Sequence, residues 1–109
     1  MTIGARPVAI YALLNTTLSD CHLPMYVGQT VSPRTRFRDH MGPSCHSAEL
    51  ASRIREYFEL SGRAPEMRIL EWCSPEQASA RERYWIGYVI SLGWSPANII
   101  WASHKEHHA

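Results

Sequence analysis

MYVGQTVSPRTRFRDH, residues 25–40, changes structural character twice within sixteen positions. Residues 25–30 read as a β-strand, because tyrosine and valine suit a pleated, half-buried surface. Gly28 interrupts that strand. Ser32 is suited to an N-cap and Pro33 to the first turn of a helix. The helix should run to about His40 or Met41 and stop before Gly42-Pro43. Arg36 and His40 are four positions apart and so share one face of it. Arg34 and Arg38 form a second such pair on a neighbouring face. With Asp39 included, residues 31–40 carry a local charge near +2, which suits a phosphate backbone.

Working outward, residues 7–14 read as a strand. Val8, Ile10, Ala12 and Leu14 share one face, and Ala9, Tyr11 and Leu13 share the other. Residues 15–24 are polar and read as a loop, which makes the two strands an antiparallel hairpin. Beyond the basic helix, Ser47 should cap a second helix over residues 48–60. Its apolar stripe is Leu50, Ile54, Tyr57 and Phe58, and Ser61-Gly62 is its stop. Residues 66–72 read as a third strand. Met67, Ile69, Leu70 and Trp72 do not alternate, as suits a strand covered on both faces. Ser74-Pro75-Glu76-Gln77 reads as a capping box opening a helix that ends near Leu92 and Gly93. The order β-β-α-α-β-α predicts an α+β domain with a three-stranded antiparallel sheet flanked by helices.

A chain of 109 residues, 45% of them apolar, suits one domain with a modest core. The expected domain spans residues 1–103, with a disordered His-rich tail over 104–109. No segment has the length or apolarity of a membrane span, and no signal segment is evident, so the expectation is a cytoplasmic protein. Cys21, Cys45 and Cys73 are odd in number and form no C-x-x-C pair, which argues against a disulfide framework. A structural zinc held by Cys21-His22, Cys45-His46 and Cys73 would have proper ligands, but the spacings match no common zinc pattern. Ten of the eleven Lys and Arg residues are arginine, whose planar fork of donors fits phosphate oxygens.

Glu82 stands out in the last helix. At 100° per residue it falls in the row Ala78-Glu82-Trp85-Val89-Leu92, on the apolar side. A carboxylate there needs a partner. It is either a metal ligand or acid/base at the floor of a cleft, or an edge carboxylate paired with an arginine.

Together these residues resemble a known family. Ala9-Ile10-Tyr11 and Tyr26-Val27-Gly28 are similar to the paired triplets of the GIY-YIG nucleases. Arg36 stands ten positions after Tyr26, where that family carries an arginine, and His40 comes four later. Glu82 lies among aromatic residues in a late helix, as the family's glutamate does, and Asn98 matches its late asparagine. Cys45-His46-Ser47 resembles a segment of phage homing endonucleases of this family. Ala9 replaces the usual glycine, and the fourteen residues between Tyr11 and Tyr26 make a long spacer.

The resemblance implies a DNA endonuclease that uses Mg²⁺ or Mn²⁺ and leaves a 5′-phosphate and a 3′-hydroxyl. It implies catalytic roles for Tyr11, Tyr26, Arg36, His40, Glu82 and Asn98, with Glu82 as the metal ligand and Tyr11 as the general base, Tyr26 or His40 supporting it or sharing that role. It also implies DNA contacts from Arg34, Arg38 and His46, with Gly28 letting the backbone turn closely into the arginine helix. The expected origin is a phage, a mobile element or a structure-specific repair system, acting as a homodimer or with a targeting partner protein. The alternative is a DNA-binding module of the same fold that does not cut. RNA is a weaker expectation, since no aromatic stacking pattern of an RNA-binding motif is present.

Overall fold

The computed structural model describes residues 6–18, 21–43 and 47–93, with backbone alone for 16–18 and 21–23. Strand β1 (Val8–Leu18) lies in the middle of an antiparallel sheet. It pairs with β2 (Cys21–Thr30) on one side and β3 (Glu66–Cys73) on the other. Helices α1 (Pro33–Met41) and α2 (Ala48–Ser61) come after β2, and α3 (Ala78–Ser91) comes after β3. This is the α+β order read from the sequence. Among the described residues, no helix is long and apolar enough to cross a membrane.

The alternation of β1 sorts side chains into two cores. Ile10, Ala12 and Leu14 pack with Val27 and Val89, beneath α3. Tyr11 and Leu13 pack on the opposite face with Met25 and with Leu50 and Tyr57 of α2. Every residue from Val8 to Leu14 is buried, so β1 is the strand covered on both faces.

That corrects the expectation for β3, which is an edge strand with Trp72 exposed. Its broken alternation has another cause. Ile10 pairs with Glu71, but Tyr11 pairs with Ile69, so Leu70 is an extra residue. A β-bulge of this kind turns two successive side chains to one face. Here these are Leu70, which packs in the Ile10 core, and Glu71, which bonds α3, while Ile69 stays in the Tyr11 core. A second bulge lies in β2, where Leu13 pairs with Tyr26 and Leu14 with Pro24. It leaves Met25 and Tyr26 both on the Tyr11 face.

Three further expectations change. Residues 15–24 are not simply a loop: β1 continues to Leu18 and β2 starts at Cys21, extending the hairpin ladder. The capping box at Ser74 does not form. Residues 75–77 make a turn closed by Gln77 N–H donating to Ser74 C=O (3.1 Å), and α3 starts at Ala78, the first position that buries against the sheet. Phe58 leaves the α2 stripe and is 58% exposed.

The ends of α2 form as expected. Ser47 Oγ accepts from Leu50 N–H at 3.2 Å. Gly62 closes the helix at φ 72°, its N–H donating to Phe58 C=O. Gly62→Ala should lower stability by about 1 kcal/mol, from backbone strain alone, because an added Cβ meets nothing within 4 Å. Urea denaturation measures this, with an unchanged slope expected.

Candidate active site

Tyr11 sits at the centre of the sheet and is paired across β2 with Gly28. Because Gly28 has no side chain, the Tyr11 ring can lie over its backbone. The Tyr11 hydroxyl lies 2.6 Å from His40 Nε2. With the imidazole neutral and its proton on Nδ1, the hydroxyl donates and Nε2 accepts. Both residues are buried, Tyr11 at 1% and His40 at 3% exposure. Tyr26, aimed by the β2 bulge, completes the group. Its ring centroid lies 5.2 Å from that of His40, edge-on, and 6.1 Å from that of Tyr11. Two strands and the last turn of α1 thus deliver three aromatic polar groups to one place.

Arg36 lies one turn before His40 on α1 and is half-buried, whereas Arg34 and Arg38 are exposed. Among the described residues, none of these three arginines is in an ion pair. Unlike Arg53, Arg68 and Arg81, they keep their donors directed at no carboxylate.

Glu82 reaches the other face of the same strand. Gln29, the residue after Gly28, donates its side-chain N–H to Glu82 Oε2 at 2.6 Å. The partner of Glu82 is therefore an amide, and the arginine pairing does not occur. The expected row of α3 is otherwise kept at Ala78 and Val89, which are buried, and lost at Leu92, which is exposed. Tyr11 with His40 and Glu82 with Gln29 are thus on opposite faces of β2, at neighbouring positions of an edge strand.

A third polar group lies at the opposite edge of the sheet. Glu71 accepts from Arg81 Nε (2.9 and 3.0 Å), Arg81 Nη2 (2.7 Å) and Trp85 Nε1 (2.8 Å). The Arg81 fork, and after it the Trp85 bond, holds the Glu71 carboxyl below its ordinary range. The same fork raises Arg81 above its own, and its guanidinium lies 4.3 Å from the Tyr84 ring centroid. A carboxyl lowered in this way stabilises the fold above its unfolded pKa, and that contribution is lost as pH falls through the folded value.

Gln29, Glu71, Arg81 and Trp85 carry no motif that marks them in the sequence. Two weaker signals point to them. Strand alternation places Gln29 with Val27, on the α3 face. The failed alternation at residues 69–71 marks a bulge. His46 and Asn98 lie outside the described residues, as do the tail and the side chains of Cys21, His22 and Cys45. Among the described residues, no group of three or more His, Cys, Asp or Glu forms a metal cluster.

The described residues thus form a small α+β domain: a three-stranded sheet between helices, with tyrosines from a hairpin facing a basic helix and a glutamate reaching β2 from a late one. Residues 7–89 match the family model of the GIY-YIG catalytic domain, and the chain belongs to that family. Membership implies a DNA endonuclease in general terms. Comparisons with curated proteins and with solved structures returned no match.

Proposed function

We propose that this domain hydrolyses a DNA phosphodiester, leaving 5′-phosphate and 3′-hydroxyl ends, with Mg²⁺ or Mn²⁺ held by Glu82. The observation that carries this reading is the 2.6 Å contact of the buried Tyr11 hydroxyl with His40 Nε2 over Gly28, on one face of the edge strand β2, beside Gln29, which holds Glu82 on the other face; the scissile phosphate would lie at that strand edge, between the two. The donor set fits such an ion. Gln29 engages Oε2 of Glu82, and Oε1 is left for coordination. A single carboxylate suffices for Mg²⁺, which keeps several waters and takes phosphate oxygens as its other ligands. When bound, the cation supplies charge neutralisation at the phosphate and the leaving oxygen.

The chain's own residues do the rest. Tyr11 passes its hydroxyl proton to His40 Nε2 as its oxygen accepts one from the attacking water. Tyr26 packs against both rings and fixes their orientation. Arg36 presents its fork to a non-bridging phosphate oxygen, opposing the charge that grows there. Arg34 and Arg38, exposed on α1, hold phosphates on either side; His46 is assigned to DNA contact, and Asn98 to fixing geometry near the phosphate or bracing the surroundings of Glu82. One such site cuts one strand, so a double-strand break takes a homodimer or a second cut.

Incubation with supercoiled, linear and branched DNA tests the reading. Nicking with Mg²⁺ that stops on chelation is expected. Tyr11→Phe should lower kcat by about 10²-fold or more, the usual worth of a positioned base, with little change in the KM for DNA. A chain that binds DNA but cuts none of the three substrates with either metal would be a binding module instead.

A further inference from the structure

One row of side chains crosses the sheet beneath α3. Ile10 of β1 pairs with Gln29 on one side and with Glu71 on the other. Gln29 bonds Glu82, while Glu71 bonds Arg81 and Trp85. Ile10 lies buried between them. Arg81 and Glu82 are adjacent in sequence, so their side chains leave the helix about 100° apart and reach opposite edges of the sheet. The helix is therefore held at both flanks across one register row.

We propose that Glu71 is a positioning residue for the reaction: aimed at α3 by the bulge at Leu70, it grips Arg81 and Trp85 and so sets the rotation of α3 that keeps the Glu82 carboxylate on Gln29 at the β2 edge. This rests on Glu82 being the metal ligand. The geometry supports it in three ways. One carboxylate receives donors from two α3 residues a turn apart, which fixes the helix in rotation as well as in place. An arginine fork is directional where a lysine would act as a point charge. A bulge beside a functional group commonly serves to re-aim a side chain. Turning α3 to swing Glu82 away from β2 would have to break the Glu71 bonds at the other flank.

The test uses the full chain and the Glu71→Gln variant, which keeps an oxygen for Trp85 but removes the charge that Arg81 grips. Two readouts need no cleavage. In metal-free protein, the side-chain amide resonances of Gln29, assigned by their loss in Gln29→Leu, should move toward their position in Glu82→Ala. In DNA-free protein, half-saturation by Mn²⁺, measured by electron paramagnetic resonance, should rise about tenfold, the usual effect of losing a group that orients a ligand. Nicking should require correspondingly more Mg²⁺, with the KM for DNA changed less than about twofold. Arg81→Met removes the same fork from the helix side and should shift both readouts in the same direction, which covers a failure of Glu71→Gln to fold.

Unchanged Gln29 resonances and Mn²⁺ half-saturation in folded Glu71→Gln would overturn the positioning role. So would unfolding of both variants, which would make the fork purely structural. The underlying reading fails separately: if Glu82→Ala binds Mn²⁺ as the unaltered chain does, Glu82 is not the ligand, whatever Glu71 does to Gln29.

Discussion

Glu82→Gln is expected to lower DNA cleavage by about 10³-fold or more, the equivalent of about 4 kcal/mol of lost transition-state stabilisation, while the chain stays folded. The substitution is nearly isosteric. Gln29 donates to Oε2 of Glu82, and a glutamine in that place still offers an amide oxygen to the same N–H. The hydrogen bond between β2 and α3 is therefore preserved, and so is the packing of Ala78 and Val89 against the sheet. What disappears is the negative charge that a hard cation requires. Thermal unfolding within a few degrees of the unaltered chain, together with loss of nicking at every Mg²⁺ concentration, is the expected pair of results. Cleavage surviving in a folded Glu82→Gln chain would move the metal elsewhere and remove the basis of the proposed mechanism.

The contrast between Tyr11 and Gln29 shows what the sequence makes legible. Tyr11 belongs to a triplet, and triplets are short-range patterns. Its strand neighbours, the helix cap at Ser47 and the stop at Gly62 are readable because each depends on nearby residues; Gly28 is not, since it continues β2 as the cross-strand partner of Tyr11 where a break was expected. The histidine that meets Tyr11 is readable through helix spacing, since four residues after Arg36 returns to the same face. Gln29 carries no such mark. Its significance arises only when α3, more than fifty positions later, settles on the β2 edge. Glu71 is hidden for a different reason. Hydrophobic alternation assumes an unbroken ladder, and one extra residue at Leu70 reverses the facing of the residues beyond it. The same ladder effect obscures the hairpin. Polar residues after Leu14 suggest a loop, yet the ladder continues there, because strand pairing is made by backbone groups that every non-proline residue carries, whatever its side chain. The start of α3 moves for a tertiary reason as well. A local capping signal at Ser74 yields to the position where Ala78 can be buried.

Among the described glycines, Gly28 is the one whose replacement by alanine should do the most damage. An added Cβ would stand 2.7 Å from the Tyr11 hydroxyl oxygen, 2.7 Å from Tyr26 Cε2 and 2.9 Å from Tyr11 Cζ. Those separations are far inside van der Waals contact, so something must move. Tyr11 has little freedom, being packed among Leu13, Met25, Leu50 and Tyr57. If its ring withdraws, the bond to His40 Nε2 is lost and a buried imidazole loses a partner, which costs about 1–3 kcal/mol. If β2 shifts instead, its pairing with β1 is disturbed. Overpacking of this kind itself costs about 1–3 kcal/mol. A total near 3 kcal/mol would lower the melting temperature of a domain this size by roughly 10 °C or more. Nicking assayed well below that temperature should still fall by about 10²-fold, because the base and its acceptor are the groups displaced. Gly87 supplies the comparison. It lies exposed within α3, and an added Cβ there meets nothing within 4 Å. Gly87→Ala should therefore stabilise the helix by roughly 0.5–1 kcal/mol and leave cleavage unchanged. If Gly28→Ala melted and cut like Gly87→Ala, the Tyr11 ring would have a second place to sit, and its approach to His40 would not be the arrangement that the reaction uses.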